Sequence, residues 1–339
     1  MDEKNLLLSE QFKNALVTAF DEELKNAKCD AEIKQIIDKF NNMDLQKAFS
    51  DILESAAKDN VDYKKSVMFQ HVIAFRAEEN EFLARLEQKW WRAFAASEAM
   101  YIMTLEAAKK YNNTVQALPL EEKEKQKWQY AAQLHIHGRA MQIFQEIISL
   151  MKGGFADGAY ARWRSLFELS IVSYFIRSNG EAVARSFCES SNSDNRYEWA
   201  KASGLWSKKG KLTFNKIRNK CVVDPAIWNL EYNLANKIVH ASPQGTFNRL
   251  GSMGSTHEIP VGRSDYGLNE AGECSAISLA QITANFFTVY TDEETIIAMK
   301  SIAHWIDIIR EEYFKTHDLV FPEDEPLWKE KDDEPVEDI

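Results

Sequence analysis

Two helical segments near the middle of the chain carry charged residues inside apolar sequence. From Gly158 to Ile176, Arg164 and Glu168 are four residues apart, so they share a helix face and can form an ion pair. Arg162 lies about 200° from Arg164 around the same helix. A charge in a core must be paired and hydrogen-bonded, because its desolvation is costly. We therefore consider two interpretations: an ion-pair network that fixes helix register, or a pocket whose arginines bind an anionic group through forked hydrogen bonds.

The preceding helical segment adds a polar stripe. His135, Arg139, Gln142 and Glu146 follow one another at spacings of four, three and four residues, which places them on one helix face. The pair Gly153–Gly154 predicts the end of this helix, because glycine adopts left-handed backbone angles at little cost. If the two segments form an antiparallel hairpin across this turn, Glu146 passes close to an arginine of the next helix.

A metal site is the least favoured interpretation of these residues. His135 and His137 point about 200° apart on a helix and do not readily bind one ion. The four cysteines are scattered and form no C-x-x-C pair, which predicts reduced thiols in the cytoplasm. The sequence also lacks the glycine-rich nucleotide-binding motifs, the nucleophile elbow and the zincin motif. We predict neither a metal nor a cofactor.

A third polar set lies before Pro243. Asn233, Asn236 and His240 occupy positions i, i+3 and i+7 of a predicted helix, again on one face. A histidine in the last helical turn is favoured as a cation by the helix dipole and can act as an acid or base near neutral pH. The alternative is that His240 only caps the C-terminus of this helix.

The stretch from Lys201 to Lys220 is basic and contains no acidic residue. In a chain with a net charge of −11, this is a candidate contact for phosphate or RNA. A solvated loop and helix face is the other interpretation. The prediction of binding rests on Lys208, Lys209 and Lys211.

The composition favours long helices. Only 13 glycines and 7 prolines occur in 339 residues, whereas 45% of the residues are hydrophobic, enough for a large core. The net negative charge argues against a general nucleic-acid coat protein. No apolar run approaches the length of a membrane span, and the acidic start does not look like a signal peptide, so we expect no membrane association.

These patterns predict an all-α fold: a multi-helix bundle with an N-terminal helical extension and an acidic, mobile C-terminal tail. We assign residues 1–126 to the accessory helical region, 127–317 to the main helical domain and 318–339 to the tail. Thr291 and Glu294 have the spacing of a capping box, which predicts the start of the last helix there.

The chain resembles a bacterial family known as domain of unknown function 5677 over about His137 to Thr283. The resemblance rests on three blocks: HGRAMQIFQEIISLMKGGFADGAYARWRSLFELSIVSYFI, NKIVHASP and VGRSDYGLNEAGECSAISLAQIT. It implies an all-helical fold and transfers no activity. The positions that correspond to the family's signature are Arg139, Glu146, Arg162, Arg164, Glu168 and His240.

A weaker analogy links the block NKIVH to HEPN ribonucleases. Their signature combines an arginine and a polar residue with a histidine near a helix end. Here Asn236 and His240 would take part, with asparagine in place of the arginine. A likeness at the level of the fold does not by itself transfer a reaction.

Two functional hypotheses follow, both in the cytoplasm. The first is a bacterial binding or effector protein of unknown reaction, in anti-phage defence or toxin-type growth arrest. It would bind RNA or a small anionic ligand, and a protein partner through its N-terminal helices. The alternative is a metal-independent endoribonuclease in which His240 is the acid or base, Asn236 orients the phosphate and an arginine such as Arg164 stabilises the developing charge. Such chemistry implies a homodimer with His240 near its two-fold axis.

Overall fold

The computed structural model describes residues 8–207, 210–221, 232–236, 243–247, 250–252 and 261–322. Within these ranges the regular structure is helical and no strand occurs, which confirms the predicted all-α fold. No helix in the same ranges is long and apolar enough to cross a membrane. None of the four cysteines, all of which lie in the described residues, forms a disulfide bond.

The helices are named in chain order. They are α1 (Leu8–Asn26), α2 (Asp30–Asn41), α3 (Leu45–Ala117), α4 (Leu120–Lys125), α5 (Lys127–Lys152), α6 (Ala156–Asn179), α7 (Glu181–Glu189), α8 (Phe214–Arg218), α9 (helical residues 232–236), α10 (Pro243–Phe247), α11 (Leu268–Phe287) and α12 (Glu293–Val320). Short 3₁₀ turns occur at Ser190–Asn192, Glu198–Ser203 and Leu250–Ser252.

The chain divides into two units, residues 1–80 and 81–339. The first unit contains α1, α2 and the beginning of α3. Aromatic ring pairs join these helices, with centroids 5.2 Å apart for Phe12 and Phe49 and 4.8 Å apart for Phe20 and Phe40. None of the side chains described in this unit is fully buried.

The second unit holds the hydrophobic core. Residues 81–117 of α3, which the sequence placed in the accessory region, contribute Leu86, Trp90 and Phe94 to it. The domain division at residues 126 and 317 stays a prediction. Of the predicted acidic tail, α12 includes the first residues up to Val320, and 323–339 lie outside the described residues.

Helices α5, α6 and α11 pack against one another at the centre of the second unit, and α12 packs on α11. The buried side of α5 carries Ile136, Ala140, Ile143 and Ile147, spaced as one helix face requires. Burying each large aliphatic side chain contributes about 1.5–3 kcal/mol. The polar stripe lies on the face of α5 that does not pack into the core.

Buried polar contacts fix how α6 sits against its neighbours. The Gln133 amide on α5 donates to the Ser173 carbonyl at 2.8 Å and accepts from the Ser173 hydroxyl at 2.7 Å. The Trp163 indole donates to the Ser278 hydroxyl of α11 at 3.0 Å. Since an unpaired buried polar group is costly, these bonds set one register for the helices.

The turn between α5 and α6 confirms the predicted antiparallel hairpin. Gly154 has a φ of 72°, the left-handed conformation that favours glycine. A Cβ atom at this position would lie 2.8 Å from both the Phe82 ring and the Ser264 carbonyl oxygen. The Ser264 amide donates to the Gly154 carbonyl at 2.8 Å, which holds the turn against the segment before α11.

The first turn of α5 is capped from outside the helix. The Glu181 carboxylate, at the start of α7, accepts hydrogen bonds from the backbone amides of Trp128 at 2.6 Å and Gln129 at 3.0 Å. A carboxylate is favourable here because the helix N-terminus carries partial positive charge and unsatisfied amides. The hairpin that carries the candidate site is therefore held at both ends.

Candidate anion-binding site

The polar stripe of α5 meets α6 at an ion pair. The Arg162 guanidinium on α6 forms a close ion pair with Glu146 on α5, as the hairpin geometry predicted. Arg139 donates to the Gln142 amide oxygen at 2.6 Å and lies 4.0 Å from the Glu146 carboxylate. His135, Arg139 and Gln142 are exposed, so the stripe faces solvent on the outer side of the hairpin.

Arg164 and Glu168 form the ion pair predicted from their spacing on α6, at 3.0 Å. The Tyr232 hydroxyl of α9 donates to the same carboxylate at 2.9 Å. Burial raises the pKa of Tyr232, and the negative charge of Glu168 adds to this effect, so the phenol keeps its proton.

The Arg164–Glu168 pair is only partly buried. The Arg164 and Glu168 side chains are 28% and 31% exposed. The outer face of α6 is only partly covered because a cleft opens there, with Glu168 and Arg162 in its wall. The pair is thus a half-buried element of an accessible site, not a network sealed inside the core.

Arg218 of α8 reaches the same position from a distant part of the sequence. Its guanidinium carbon lies 5.1 Å from the centre of the Tyr232 ring, and that of Arg164 lies 5.6 Å from it. Such contacts are attractive through the ring quadrupole. Among the described residues, Arg218 has no carboxylate within ion-pair distance, and the buried Nε of Arg164 has no hydrogen-bond partner.

We call Arg139, Arg162, Arg164 and Arg218 the arginine cluster. The carboxylates that pair with it in the described part of the chain are Glu146 and Glu168, so two positive charges remain uncompensated. The adjoining cleft has a volume of about 290 Å³. Its lining comprises Arg139, Ile143, Arg162, Ser165, Glu168, Leu169, Val172, Tyr197 and Phe214.

Phe214, which lies in the basic stretch predicted to contact phosphate, packs against two tyrosines of the site. Its ring centre lies 5.7 Å from that of Tyr232 and 6.5 Å from that of Tyr197. Three lysines of the segment are exposed beside α8: Lys211, Lys216 and Lys220. Lys208 and Lys209, on which the prediction of phosphate contact also rested, lie outside the described residues.

The third predicted set is only partly described. Asn236 is half-buried and follows Tyr232 by four residues, so both lie on one face of α9. Asn233 is exposed. His240 lies outside the described residues. The structure thus brings the helix of Asn236 to the arginine cluster through Tyr232.

The two histidines of α5 lie in different environments. His135 is exposed, whereas His137 is 3% exposed and its Nε2 lies 3.2 Å from the Thr283 hydroxyl of α11. Burial lowers the pKa of His137 to about 4, so the ring is neutral near pH 7. In the ranges that the structure covers, no cluster of three histidine, cysteine or acidic residues can hold a metal ion.

Sequence reasoning missed three members of the site. Arg218 was noted only as part of a basic run, and Tyr197 and Tyr232 were not singled out. The available signal for Tyr232 is its spacing of four residues from Asn236. Nothing local in the sequence indicates that Tyr197 lines the cleft, because the contact depends on how the chain around Tyr197 packs against α6.

The hairpin that carries most of the cluster is also the part of the chain with detectable relatives. Residues 130–212 match DUF5677, a family of unknown function. The DUF5677 match includes Arg139, Glu146, Arg162, Arg164 and Glu168, and ends before Arg218 and Tyr232. No curated protein and no solved structure is detectably similar to the chain.

Proposed function

We propose that the protein is a binding or effector protein whose arginine cluster holds the phosphate groups of an RNA ligand. The observation that carries the proposal is the uncompensated charge of this cluster, above all Arg218, beside an open cleft. Guanidinium groups match phosphate oxygens with two parallel hydrogen bonds, so they are the side chains best suited to this ligand.

The size and surroundings of the cleft favour a chain of phosphates over a compact cofactor. A volume of about 290 Å³ lies at the lower limit for small-molecule sites, enough for a phosphate group or part of a nucleotide. The exposed lysines 211, 216 and 220 extend the positive surface beyond the cleft. A polyanion can contact both, whereas a small anion fills only one.

The cellular setting that we propose is the bacterial cytoplasm, in anti-phage defence or toxin-type growth arrest. The four cysteines of the described residues form no disulfide bond, which suits a reducing compartment. A net charge of −11 repels nucleic acid from the rest of the surface, which would confine RNA to the basic site.

The proposal predicts salt-dependent RNA binding that depends on Arg164 and Arg218. We expect the Arg164→Gln and Arg218→Gln double variant to bind a labelled single-stranded RNA at least tenfold more weakly than the unmodified protein at low salt. Each lost phosphate contact should also reduce the slope of log affinity against log salt by about 0.7. Fluorescence anisotropy across a salt series measures both effects.

Arg185→Gln is the matched control. Arg185 is an exposed arginine paired with Glu189 at 2.8 Å on α7, away from the cleft. Its loss should leave RNA affinity within about twofold, since an exposed pair contributes little. Absence of RNA binding at low salt, or equal losses in the control and the double variant, contradicts the proposal.

The endoribonuclease hypothesis is the second candidate, favoured by the position of Asn236 on the same face as Tyr232. The labelled single-stranded RNA of the binding experiment also distinguishes cleavage from binding alone. Intact RNA after prolonged incubation with wild-type protein supports binding alone. Cleavage that the His240→Ala variant abolishes, with its melting temperature and RNA affinity unchanged, assigns the acid or base role to His240 and refutes a purely binding function.

A further inference from the structure

A long stretch of α3 in the first unit is exposed. Residues 51–78 are exposed with the single exception of the half-buried Val67. From Val67 to Phe75, however, the sequence VMFQHVIAF is almost entirely apolar. The exposed fraction is 70% for Phe69 and 68% for Ile73. A contiguous apolar surface of this kind marks a site of association.

The apolar residues also follow the spacing of a coiled-coil seam. Val61, Lys65, Met68, Val72 and Phe75 recur at intervals of four, three, four and three residues. The four apolar members of this series are 42–60% exposed. A helix with such a seam gains stability when another helix covers it, because an isolated helix in water is only marginally stable.

We propose that a second copy of this chain covers the surface, with the two α3 segments antiparallel. Charge complementarity selects this arrangement. His71 is the middle of the stretch Val67–Phe75, and Lys64 and Glu78 lie seven residues before and after it. An antiparallel pair centred on residue 71 therefore places Lys64 of each copy opposite Glu78 of the other. A parallel pair would place each charge opposite its own like charge.

The available area suits a stable dimer. The apolar residues of the seam, together with the flanking Phe69, present on the order of 500 Å² per copy, given 150–250 Å² for each aromatic residue when fully exposed. Two copies would bury roughly 1,000 Å², the area that a specific interface is expected to reach. The surface lies wholly in the first unit, so this association is independent of the arginine cluster.

The mass of the 339-residue chain in solution tests this proposal. Sedimentation velocity at tens of micromolar should give twice the 39.0 kDa of one chain. The Met68→Glu and Val72→Glu double variant should give the mass of a single chain, with its helical circular dichroism retained, because both residues lie on the seam and neither is in the core. Ile296→Glu on α12 is the control: this isoleucine is 42% exposed, the same fraction as Val72, and its replacement should leave the dimer intact.

Charge reversal tests the antiparallel orientation. Lys64→Glu and Glu78→Lys should each raise the dissociation constant of the dimer about three- to tenfold, as like charges then face each other twice across the two-fold axis. Both reversals together should restore the original value. A single-chain mass for the unmodified protein, whatever else binds the surface, overturns the proposal. So does a control variant as damaging as the double variant, or a combined charge reversal that does not restore association.

Discussion

Acidification from pH 6.5 to about pH 4 is expected to lower the free energy of unfolding by roughly 3 kcal/mol through His137 alone. The ring is buried between α5 and α11, where Phe286 stacks on it with centroids 4.9 Å apart. Its Nε2 lies 3.2 Å from the Thr283 hydroxyl, within hydrogen-bond distance. Burial lowers the pKa of His137 from 6.5 to about 4, because the charged imidazolium would lose its hydration there.

The direction of the pH effect on the free energy of unfolding depends on whether the folded or the unfolded chain binds the proton at the higher pH. Below pH 6.5 the unfolded chain protonates this histidine, whereas the folded protein does so only near pH 4. The stabilisation is therefore complete above pH 6.5 and is lost as the pH falls towards 4. Carboxylates that titrate at the lower end of this range affect the wild-type protein and its variants alike, so the difference between them isolates His137.

Urea denaturation at several pH values measures this effect. The His137→Gln variant, which cannot titrate, should show a weaker pH dependence of unfolding free energy by roughly 3 kcal/mol across the window. The His135→Gln variant changes an exposed histidine two residues away and should keep the wild-type dependence. Parallel curves for the wild-type protein and His137→Gln would show that the ring is not desolvated as described.

Replacing Gly272 with alanine is expected to cost about 3 kcal/mol of stability, at the upper end for overpacking a core. A Cβ atom there would lie 2.5 Å from the ring of Tyr313 on α12. That ring is fully buried, and its hydroxyl lies 3.0 Å from the Ser97 hydroxyl and 3.7 Å from the Met151 sulfur. The ring cannot move without breaking these contacts, so α11 and α12 must separate.

Gly138 provides the matched control for this substitution. It also lies within a long helix, α5, but a Cβ atom there would meet nothing within 4 Å. Gly138→Ala should therefore raise stability by up to about 1 kcal/mol through helix propensity. Chemical denaturation of both variants gives the comparison. Equal effects at the two positions would mean that α11 and α12 do not approach each other as closely as described.

The hairpin and its ion pairs were predictable because they depend on local spacing. Arg164 and Glu168 meet because residues four apart on a helix are neighbours. Arg162 and Glu146 meet because a short glycine turn reverses the chain between two long helices. Each relation can be read from the sequence without knowledge of the rest of the fold.

The completion of the site by Arg218 and Tyr232 was not predictable in this way. These residues are separated from Glu168 by 50 or more positions, and their approach depends on the packing of Phe214. The partial exposure of Arg164 and Glu168 was not predictable either, because an apolar sequence around α6 does not reveal which of its faces remains open. This difference matters for function, because a half-buried arginine can still bind a ligand and a fully buried arginine cannot.

Two possible capping boxes, one residue apart, precede α12 in the sequence. The spacing of Thr291 and Glu294 predicted a capping box, but the helix begins one residue later. The Asp292 carboxylate accepts from the Thr295 amide at 2.7 Å, and the Thr295 hydroxyl accepts from the Asp292 amide at 2.9 Å. Two capping patterns overlap here, and only the path of the chain into the helix decides between them.

The most direct test of the central claim is the response of the individual arginine side chains to RNA. In protein labelled with ¹⁵N in arginine, the Nε–H signal of Arg164 can be assigned through the Arg164→Lys variant. Its Nε has no hydrogen-bond partner in the described part of the chain, so a bound phosphate oxygen would supply the missing acceptor. We predict that a single-stranded RNA shifts the signals of Arg164 and Arg218 and leaves that of Arg185 in place. If Arg164 and Arg218 do not respond to saturating RNA, the arginine cluster is not the phosphate site.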